Sequence, residues 1–316
     1  MASNADIILA QRRQENKRAL ETRIARVYES IPRIKDIDKE IRETNLLRIR
    51  SLFNGGDTDA FTKRIEDLNA EKDRLLKAKG VPAKYMEMHY HCYFCKDTGV
   101  YQGRPCSCKK ALIARDLYSQ SEIEGRIRSE NFDNFNANLF RKSRMEDELE
   151  SPYENIIAIK ENLQQYVENF RPGFKSLYFY GKVGTGKTFM LNCLAKALMD
   201  KGYSLLYQSS IELLDFLTTY QFMYAESKLQ NKDKHDLIFS VDILIIDDLG
   251  TEPKNDRAQA NLFEVINRRI VAGKTTFISS NIPPHDLGAA YDARISSRIM
   301  GEYELYEFYG NDLRAR

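Results

Sequence analysis

The feature that most restricts the fold is a glycine-rich octapeptide at residues 181–188, Gly-Lys-Val-Gly-Thr-Gly-Lys-Thr. It fits the pattern G-x-x-x-x-G-K-[ST], follows the apolar run 177–180 and opens a helical stretch. A loop between a strand and a helix binds phosphate well, because its backbone N–H groups and the helix N-terminus converge on one anion. The sequence therefore predicts a phosphate cradle formed by Gly181, Gly184, Thr185 and Gly186.

The last two residues of this loop, Lys187 and Thr188, indicate which phosphate compound binds. A lysine here bridges the β- and γ-phosphates, and a hydroxyl at the next position ligates Mg²⁺. The interpretation is an ATP site that uses Mg²⁺. The alternative is a glycine-rich turn with an accidental lysine, and the strand before the loop and the helix after it both argue against that.

Two further apolar runs end in polar side chains. Residues 241–246 lead into Asp247 and Asp248, and residues 275–279 lead into Ser280 and Asn281. Asp247 is expected to hold Mg²⁺ through water, and Asp248 to orient or deprotonate the attacking water. If the second run lies between the phosphate-loop strand and the Asp-Asp strand, Asn281 comes close to the γ-phosphate. The alternatives are a solvated turn for the two aspartates and a turn before Pro283 for Asn281.

Short apolar runs alternate with helical stretches from residue 151 onward. This alternation is typical of a parallel sheet covered by helices on both faces, so the fold class is α/β. The predicted strands are 177–180, 203–207, 241–246 and 275–279, and the predicted helices are 187–201, 211–226 and 256–272.

Four of the five cysteines lie in one short window and form the pattern C-x-x-C … C-x-C. They are Cys92, Cys95, Cys106 and Cys108. Two pairs of thiolates on tight turns suit a tetrahedral Zn²⁺ site, which is structural because four thiolates leave no open position. A redox dithiol would explain only the first pair, and His89 or His91 remains a possible substitute for one thiolate.

The remaining sequence predicts a division into four parts. Residues 1–88 have the apolar spacing of coiled-coil-like helices that dock a partner, with breaks at Pro32 and at residues 54–57. Residues 89–110 form the zinc module, 111–150 a charged, largely helical connector, and 151–316 the ATPase domain. The net charge is only +2, and neither a membrane-spanning run nor a secretory signal is recognisable, so the expected location is the cytoplasm, without a membrane partner.

The order of these motifs resembles a known family. The phosphate loop, the run Ile-Ile-Asp-Asp-Leu-Gly-Thr-Glu at 245–252, Ser-Ser-Asn at 279–281 and the pair Arg294 and Arg298 are similar to AAA+ ATPases of the replicative-helicase loader class. These are the DnaC/DnaI proteins, with the IstB-type transposition helpers as near relatives. The cysteine window and the segment 132–135 resemble the Gram-positive members. The resemblance implies an ASCE-type sheet in which the Asn281 strand lies between the other two.

The resemblance also implies roles for residues outside the loop. Arg298 would act in trans as an arginine finger, with Arg294 as the weaker candidate, and Arg314 would take a sensor-2 role although no full lid follows. The stretch 211–234 corresponds to a helix that touches single-stranded DNA in the loaders. Its candidate contacts are Phe216, Tyr220 and Lys228, although aromatic residues four apart on a helix also suit core packing.

The resulting hypothesis is a loader that delivers a replicative ring helicase to single-stranded DNA in DNA replication. ATP binding would assemble a homo-oligomer and hydrolysis would release it, with ATP, Mg²⁺ and Zn²⁺ as cofactors. The arm and the zinc module would hold the helicase. Two rival hypotheses are an IstB-like ATPase helper of a transposase and a zinc-dependent DNA-binding adaptor with a vestigial ATPase site.

Overall fold

A computed structural model describes residues 4–82, 84–119, 123–146, 148–253 and 255–314. It forms two compact units, Asp6–Tyr101 and Gln102–Arg316. The finer division into arm, zinc module, connector and ATPase domain stays a prediction. In the part of the chain that the structure describes, no helix is both long and apolar enough to cross a bilayer.

The first unit begins with helices, as the apolar spacing predicts. These are α1 (Asn4–Ser30), α2 (Pro32–Phe53) and α3 (Asp59–Ala78). Pro32 opens α2, where its missing N–H costs nothing. Ion pairs Arg33–Glu71 and Arg64–Glu40, both 2.8 Å, join the two helices in opposite order, since the later residue of α2 pairs with the earlier residue of α3. Helices α2 and α3 are therefore antiparallel.

The segment that follows is less helical than predicted. The small strands β1 (Val100–Tyr101) and β2 (Arg104–Pro105) precede α4 (Ser107–Ser119) and α5 (Ile123–Ser129). Among the described residues from 130 to 150, the only helical element is one 3-10 turn, Ala137–Leu139. The side chains of Asn131 and Asn136 accept bonds from backbone N–H groups two or three residues later. Such bonds offer the backbone an alternative to the helix.

The second unit is built on a five-stranded parallel sheet of order β4-β5-β6-β3-β7. Its strands are β3 (Ser176–Gly181), β4 (Leu205–Ser209), β5 (Ile243–Leu249), β6 (Thr275–Ser280) and β7 (Tyr303–Phe308). The predicted insertion of the Asn281 strand is confirmed, since β6 lies between β3 and β5. The strand β7 was not predicted. Only Tyr303 and Phe308, at the two ends of this edge strand, are buried, so it lacks the apolar run that marks the inner strands.

Helices cover the sheet and form its core with it. They are α6 (Pro152–Asn169), α7 (Lys187–Asp200), α8 (Ser210–Phe222), α9 (Ala225–Ser240), α10 (Asp256–Val271), α11 (Leu287–Ala290) and α12 (Ala293–Glu302), with a 3-10 turn at Pro284–Asp286. Helices α6 and α8 begin with capping boxes formed by Ser151 with Glu154 and by Ser209 with Glu212. These caps fix the points at which the chain turns from loop to helix.

One helix differs from the sequence prediction, and a side-chain cap sets the start of another. The predicted helix 211–226 is two helices, because Met223 adopts an extended conformation (ψ 143°) between α8 and α9. The helix that carries Arg294 and Arg298 starts at Ala293, since Asp292 caps it by accepting bonds from the N–H groups of Arg294 and Ile295.

Candidate functional site

The phosphate loop connects β3 to α7 and contains backbone angles that favour glycine. Gly181, Gly184 and Gly186 have φ values of 140°, 77° and 97°. A Cβ atom at Gly181 would lie 1.8 Å from the carbonyl oxygen of Phe308. The loop backbone therefore needs these glycines both for its conformation and for the close approach of β7.

Lys187 lies buried under this loop. Its Nζ donates to the carbonyl oxygens of Gly181 and Lys182, both at 2.7 Å, and to Oδ1 of Asn281 at 2.9 Å. Burial lowers the pKa of Lys187 to about 8, although the charges of Asp248 and Asp247 oppose this shift. The predicted neighbours Lys187 and Asn281 therefore meet directly, across the β3–β6 pair.

The Asp247 carboxylate is held by hydroxyl groups from three elements. Oδ1 accepts from Thr188 Oγ1 at 3.2 Å and from the Ser279 hydroxyl, and Oδ2 accepts from the Tyr207 hydroxyl at 2.7 Å. Thr188 and Asp247 were predicted to share one Mg²⁺, and the structure brings them into contact. Tyr207 was not predicted, and Ser279 was noted only as part of the Ser-Ser-Asn run without a role of its own, since each lies inside a buried strand.

Asp248 has a left-handed backbone conformation, with φ 55°. Its N–H donates to Ser279 Oγ at 2.9 Å, and its carbonyl accepts from the hydroxyls of Ser210 (3.0 Å) and Thr251 (2.8 Å). Partial burial, followed by the charge of Asp247, raises the pKa of Asp248. Non-glycine residues in this conformation cluster at functional sites.

These side chains border one cavity of about 440 Å³ at the carboxyl edge of the sheet. Its polar side includes Lys187, Thr188, Asp248 and Asn281. Its other side is formed by segments that had not been predicted to take part in the site. The residues there are Arg126, Glu130, Asn134, Phe135, Asn136, Leu139, Phe140, Ile156 and Leu313. For this side of the cavity, the only indication from the sequence was that the segment 132–135 resembles the Gram-positive family members.

The predicted arginines lie in different places. Arg314 lines the cavity, and the neighbouring Leu313 N–H donates to the Gly184 carbonyl at 3.0 Å. Arg294 is bonded to Asp292 on its own helix and lies over the Phe263 ring. Arg298 is exposed on α12 and is absent from the residues that line this cavity.

The predicted DNA contacts are occupied by packing within the unit. Phe216 packs against the core and has Lys234 Nζ 4.4 Å from its ring centroid. Tyr220 stacks on His235 with 4.2 Å between centroids, and Lys228 Nζ donates to the Gln221 carbonyl at 3.0 Å. A DNA role for Phe216, Tyr220 and Lys228 stays a prediction.

The cysteine window brings its thiols together. The sulfur atoms of Cys92, Cys95, Cys106 and Cys108 all lie within 4.8 Å of one another. Neither His89 nor His91 belongs to this group, within the described residues. The Gly99 N–H donates to Cys95 Sγ at 3.4 Å, so the turn after the first pair also directs a backbone donor at a sulfur.

Comparison with known proteins identifies the second unit. The family described as the bacterial DnaA ATPase domain matches residues 154–303. The chromosomal replication initiator DnaA of Gluconobacter oxydans is 31% identical over 129 residues, which cover 40% of this chain and 26% of that protein. The replicative helicase loader DnaI of Bacillus subtilis is 22% identical over 249 residues, 73% of this chain and 76% of that protein.

A further relative is the replicative helicase loader DnaC of Escherichia coli, 24% identical over 149 residues, which cover 47% of this chain and 60% of that protein. The chain spans only about a quarter of the DnaA protein's length, so that similarity concerns one domain. With the sheet order and the phosphate-loop geometry, these matches show an AAA+ ATPase domain that is similar to those of bacterial DnaA and of the loaders DnaI and DnaC.

Proposed function

We propose that this protein is an ATP-dependent loader that delivers a ring helicase to single-stranded DNA. One observation carries the proposal: Lys187, Thr188, Asp247 and Asn281 lie together at one edge of the sheet. Lys187 is hydrogen-bonded to Asn281, and Thr188 to Asp247. The match to the helicase loader DnaI extends beyond the ATPase domain, since it covers 73% of this chain, whereas the match to DnaC covers 47%. A P-loop kinase would need neither the Asp-Asp strand end nor the helical arm.

The residues of the cavity divide the work on the nucleotide. Lys187 and the loop N–H groups would hold the phosphates, and Thr188 and Asp247 would hold Mg²⁺, which neutralises phosphate charge when bound. Asp248 would accept a proton from the attacking water or orient it, and its raised pKa favours that role at neutral pH. The apolar wall with Phe135 and Phe140 would receive the base.

The cysteine cluster fits a structural Zn²⁺ ion. A tetrahedron of sulfurs about 2.3 Å from zinc places them roughly 3.8 Å from one another. The observed limit of 4.8 Å is close to that value, so only small side-chain movements would be needed. The ion would tie the two cysteine pairs together and add no step to ATP hydrolysis.

The tip of the arm suits a protein partner. Near the end of α2, large apolar side chains are exposed instead of buried: Leu46 (61%), Leu47 (50%), Ile49 (45%), Leu52 (59%) and Phe53 (89%). We call these five residues the arm tip. Several large exposed apolar side chains close together on one helix are typical of a docking surface. We assign the arm tip to the helicase.

In the ATPase domain the exposed aromatic residues offer the better base contacts. Phe222 is 63% and Tyr224 87% exposed at the break between α8 and α9, and the guanidinium of Arg257 lies 4.7 Å from the Phe222 ring centroid. Rings at this position can stack on bases, whereas Phe216 and Tyr220 already have partners. We propose that the predicted DNA contact is made here.

The nucleotide part of the proposal is tested by two variants and a control. Lys187→Ala should abolish ATP binding, and Asp248→Asn should keep binding but lose hydrolysis. Lys182→Ala, in the same loop but exposed, should change neither, because only its backbone carbonyl contacts Lys187. Binding and turnover are measured separately. Wild-type protein without measurable turnover would favour the vestigial-ATPase alternative.

The loader part is tested by co-elution. The Asp248→Asn protein, ATP and the cognate replicative helicase should form a complex on size exclusion, and Phe53→Ala should weaken it. If no complex forms at micromolar concentration, the protein is not a loader for that helicase. Capture of a transposase instead would support the IstB-like alternative.

A further inference from the structure

The cysteine segment of the first unit exposes aromatic rings. Tyr93 is 87% exposed, Phe94 67%, Tyr101 44% and Tyr90 37%. Phe94 and Tyr101 contact each other edge to face with 5.7 Å between centroids, and Lys96 Nζ lies 5.9 Å from the centroid of Tyr90. We call Tyr90, Tyr93, Phe94 and Tyr101 the aromatic face. It leaves flat rings open to solvent beside a lysine.

No carboxylate projects from this segment. Asp97 is the single acidic residue between positions 89 and 110, and its side chain is fully buried. Its carboxylate accepts bonds from the N–H groups of His91 (3.0 Å) and Cys92 (2.8 Å) and from Asn16 Nδ2 (2.8 Å). Within residues 89–110 the aromatic face therefore has lysine and arginine side chains but no exposed carboxylate, and the exposed Glu87 precedes it in the chain.

Helix α1 adds further positive charge next to the segment. The guanidinium of Arg13 donates to the Asp97 carbonyl oxygen at 2.7 Å. Lys17 is exposed four residues later, and residues four apart share one face of a helix. The side of α1 that meets the cysteine segment therefore continues the basic surface.

The aromatic face differs in composition from the arm tip. Four of the five residues in the arm tip are aliphatic, which suits a protein partner. The aromatic face is made of rings beside lysine and arginine, the combination by which proteins hold single strands: rings stack on bases and cations contact phosphates. The phosphates of a strand also complement residues 89–110, which expose lysine and arginine but no carboxylate.

We propose that the aromatic face is a second contact for single-stranded DNA, separate from the ATPase domain. Bases stack on Tyr93 and Phe94, and Lys96, Arg13 and Lys17 contact the phosphates. This inference rests on the proposed function in so far as single-stranded DNA is a partner of the chain. It requires neither the helicase nor ATP hydrolysis.

The test measures binding of the full-length, zinc-loaded protein to a fluorescein-labelled oligothymidine by anisotropy, with and without ATP. Replacing both rings (Tyr93→Ala with Phe94→Ala) should weaken binding about tenfold in both conditions, because each stacked base contributes strongly. Exchanging the rings (Tyr93→Phe with Phe94→Tyr) should leave it intact, and Phe94→Leu, apolar but not flat, should weaken it. Phe53→Ala on the arm tip is the matched control and should bind normally.

Zinc content of each variant is measured to show that the segment is still folded. Photocrosslinking to an iododeoxyuridine strand should label a peptide within residues 90–101. If the double alanine variant binds DNA as well as wild type, the proposal is overturned, and a simultaneous loss of the helicase complex would reassign the face to protein docking. Failure of the proposed function would show instead as a wild-type protein without ATP turnover or helicase binding, whatever the aromatic variants do.

Discussion

Tyr207 acts on the nucleotide site through Asp247. Its hydroxyl donates to Oδ2 at 2.7 Å, while Ser279 and Thr188 occupy Oδ1. The phenol is buried, and burial followed by the charge of Asp247 raises its pKa well above the ordinary value, so it stays a donor. Two hydrogen-bonded oxygens leave the carboxylate little freedom to rotate. Tyr207 therefore holds the proposed Mg²⁺ ligand in one orientation.

We expect Tyr207→Phe to raise the Mg²⁺ concentration needed for half-maximal ATP turnover about tenfold, the usual effect of removing a partner of a metal ligand. Mn²⁺ binding, followed by its paramagnetic resonance signal, should weaken in parallel, whereas binding of metal-free ATP should not change. Tyr203→Phe is the control, since that hydroxyl bonds to the Phe170 carbonyl at 2.9 Å. An unchanged Mg²⁺ requirement would show that Asp247 needs no such support.

The lowered pKa of Lys187 leads to a prediction about how ATP affinity depends on pH. Its pKa of about 8 lies below the ordinary 10.5, so the ammonium is mostly charged at pH 7 and loses its proton as pH rises through 8. ATP prefers the charged form. Its affinity, measured without Mg²⁺ by calorimetry, should therefore fall about tenfold between pH 7 and pH 9. Lys187→Arg stays charged throughout and should give a flat profile, and a flat wild-type profile would contradict the lowered pKa.

The site residues that could be predicted from sequence are those in linear motifs. Lys187 and Thr188 are fixed by the loop pattern, and Asp247 and Asn281 by their positions after buried strands. Tyr207 could not be found in this way, because a tyrosine within an apolar strand looks like core, and Ser279 was noted only as part of the Ser-Ser-Asn run, without a role of its own. Both contact Asp247 because strands β4 and β6 pair with β5, although helices separate each of them from β5 along the chain.

At the scale of elements, the buried Arg269 of α10 forms hydrogen bonds both to the end of α9 and to the start of β6. It is fully buried and donates to the carbonyl oxygens of Ile238 (2.7 Å), Val241 (3.3 Å) and Thr275 (2.6 Å), and to Thr276 Oγ1 (2.9 Å). The guanidinium satisfies carbonyls at the end of α9 and at the start of β6. Burial lowers its pKa to about 9, so the charge remains at neutral pH.

We expect Arg269→Met to lower the free energy of unfolding by about 3 kcal/mol or more, because several buried carbonyls lose their donor at once. Urea unfolding measures this change. Arg268→Met is the control. Arg268 precedes Arg269 in the chain and pairs with Glu264 at the surface, and such pairs contribute about 1 kcal/mol or less. Equal losses in the two variants would mean that water replaces the guanidinium.

Element boundaries were predictable where a residue enforces them. Pro32 starts α2, and Gly181 and Gly186 bracket the phosphate loop as expected. The break between α8 and α9 has no glycine or proline, since Met223 and Tyr224 are ordinary residues in extended conformation. It follows from tertiary packing: Tyr220 of α8 stacks on His235 of α9, so the second helix folds back on the first.

For the whole molecule, the inner part of the sheet order could be expected and the closing of the nucleotide site could not. The family resemblance implied that β6 lies between β3 and β5, as observed, while the edge strand β7 was not predicted. The chain segment 308–314 carries no apolar run, yet its Leu313 N–H bonds to Gly184 and its Arg314 reaches the cavity. Contacts between remote segments of this kind depend on how the whole domain packs. The sequence alone therefore leaves them open.

Assembly is the property of the whole molecule on which the arginine proposal depends. Arg298 is exposed on α12 and is absent from the residues lining its own cavity, so a catalytic role would have to be exerted on a neighbouring subunit. Arg298→Ala and Asp248→Asn should each bind ATP and each lack turnover. The first lacks the arginine it should give, and the second lacks the acid in its own site.

Mixed in equal amounts, the two inactive proteins should regain part of the wild-type rate, because an Asp248→Asn subunit supplies Arg298 to the intact site of its Arg298→Ala neighbour. Random pairing allows about one quarter of the interfaces to combine an intact site with an intact arginine, so the rate should rise toward that fraction. Arg294→Ala mixed with Asp248→Asn is the comparison, since Arg294 is held by Asp292 on its own helix. If turnover stays absent at every mixing ratio while the subunits still co-assemble, Arg298 does not act on the site of a neighbouring subunit. It would then act within its own chain or have no part in hydrolysis.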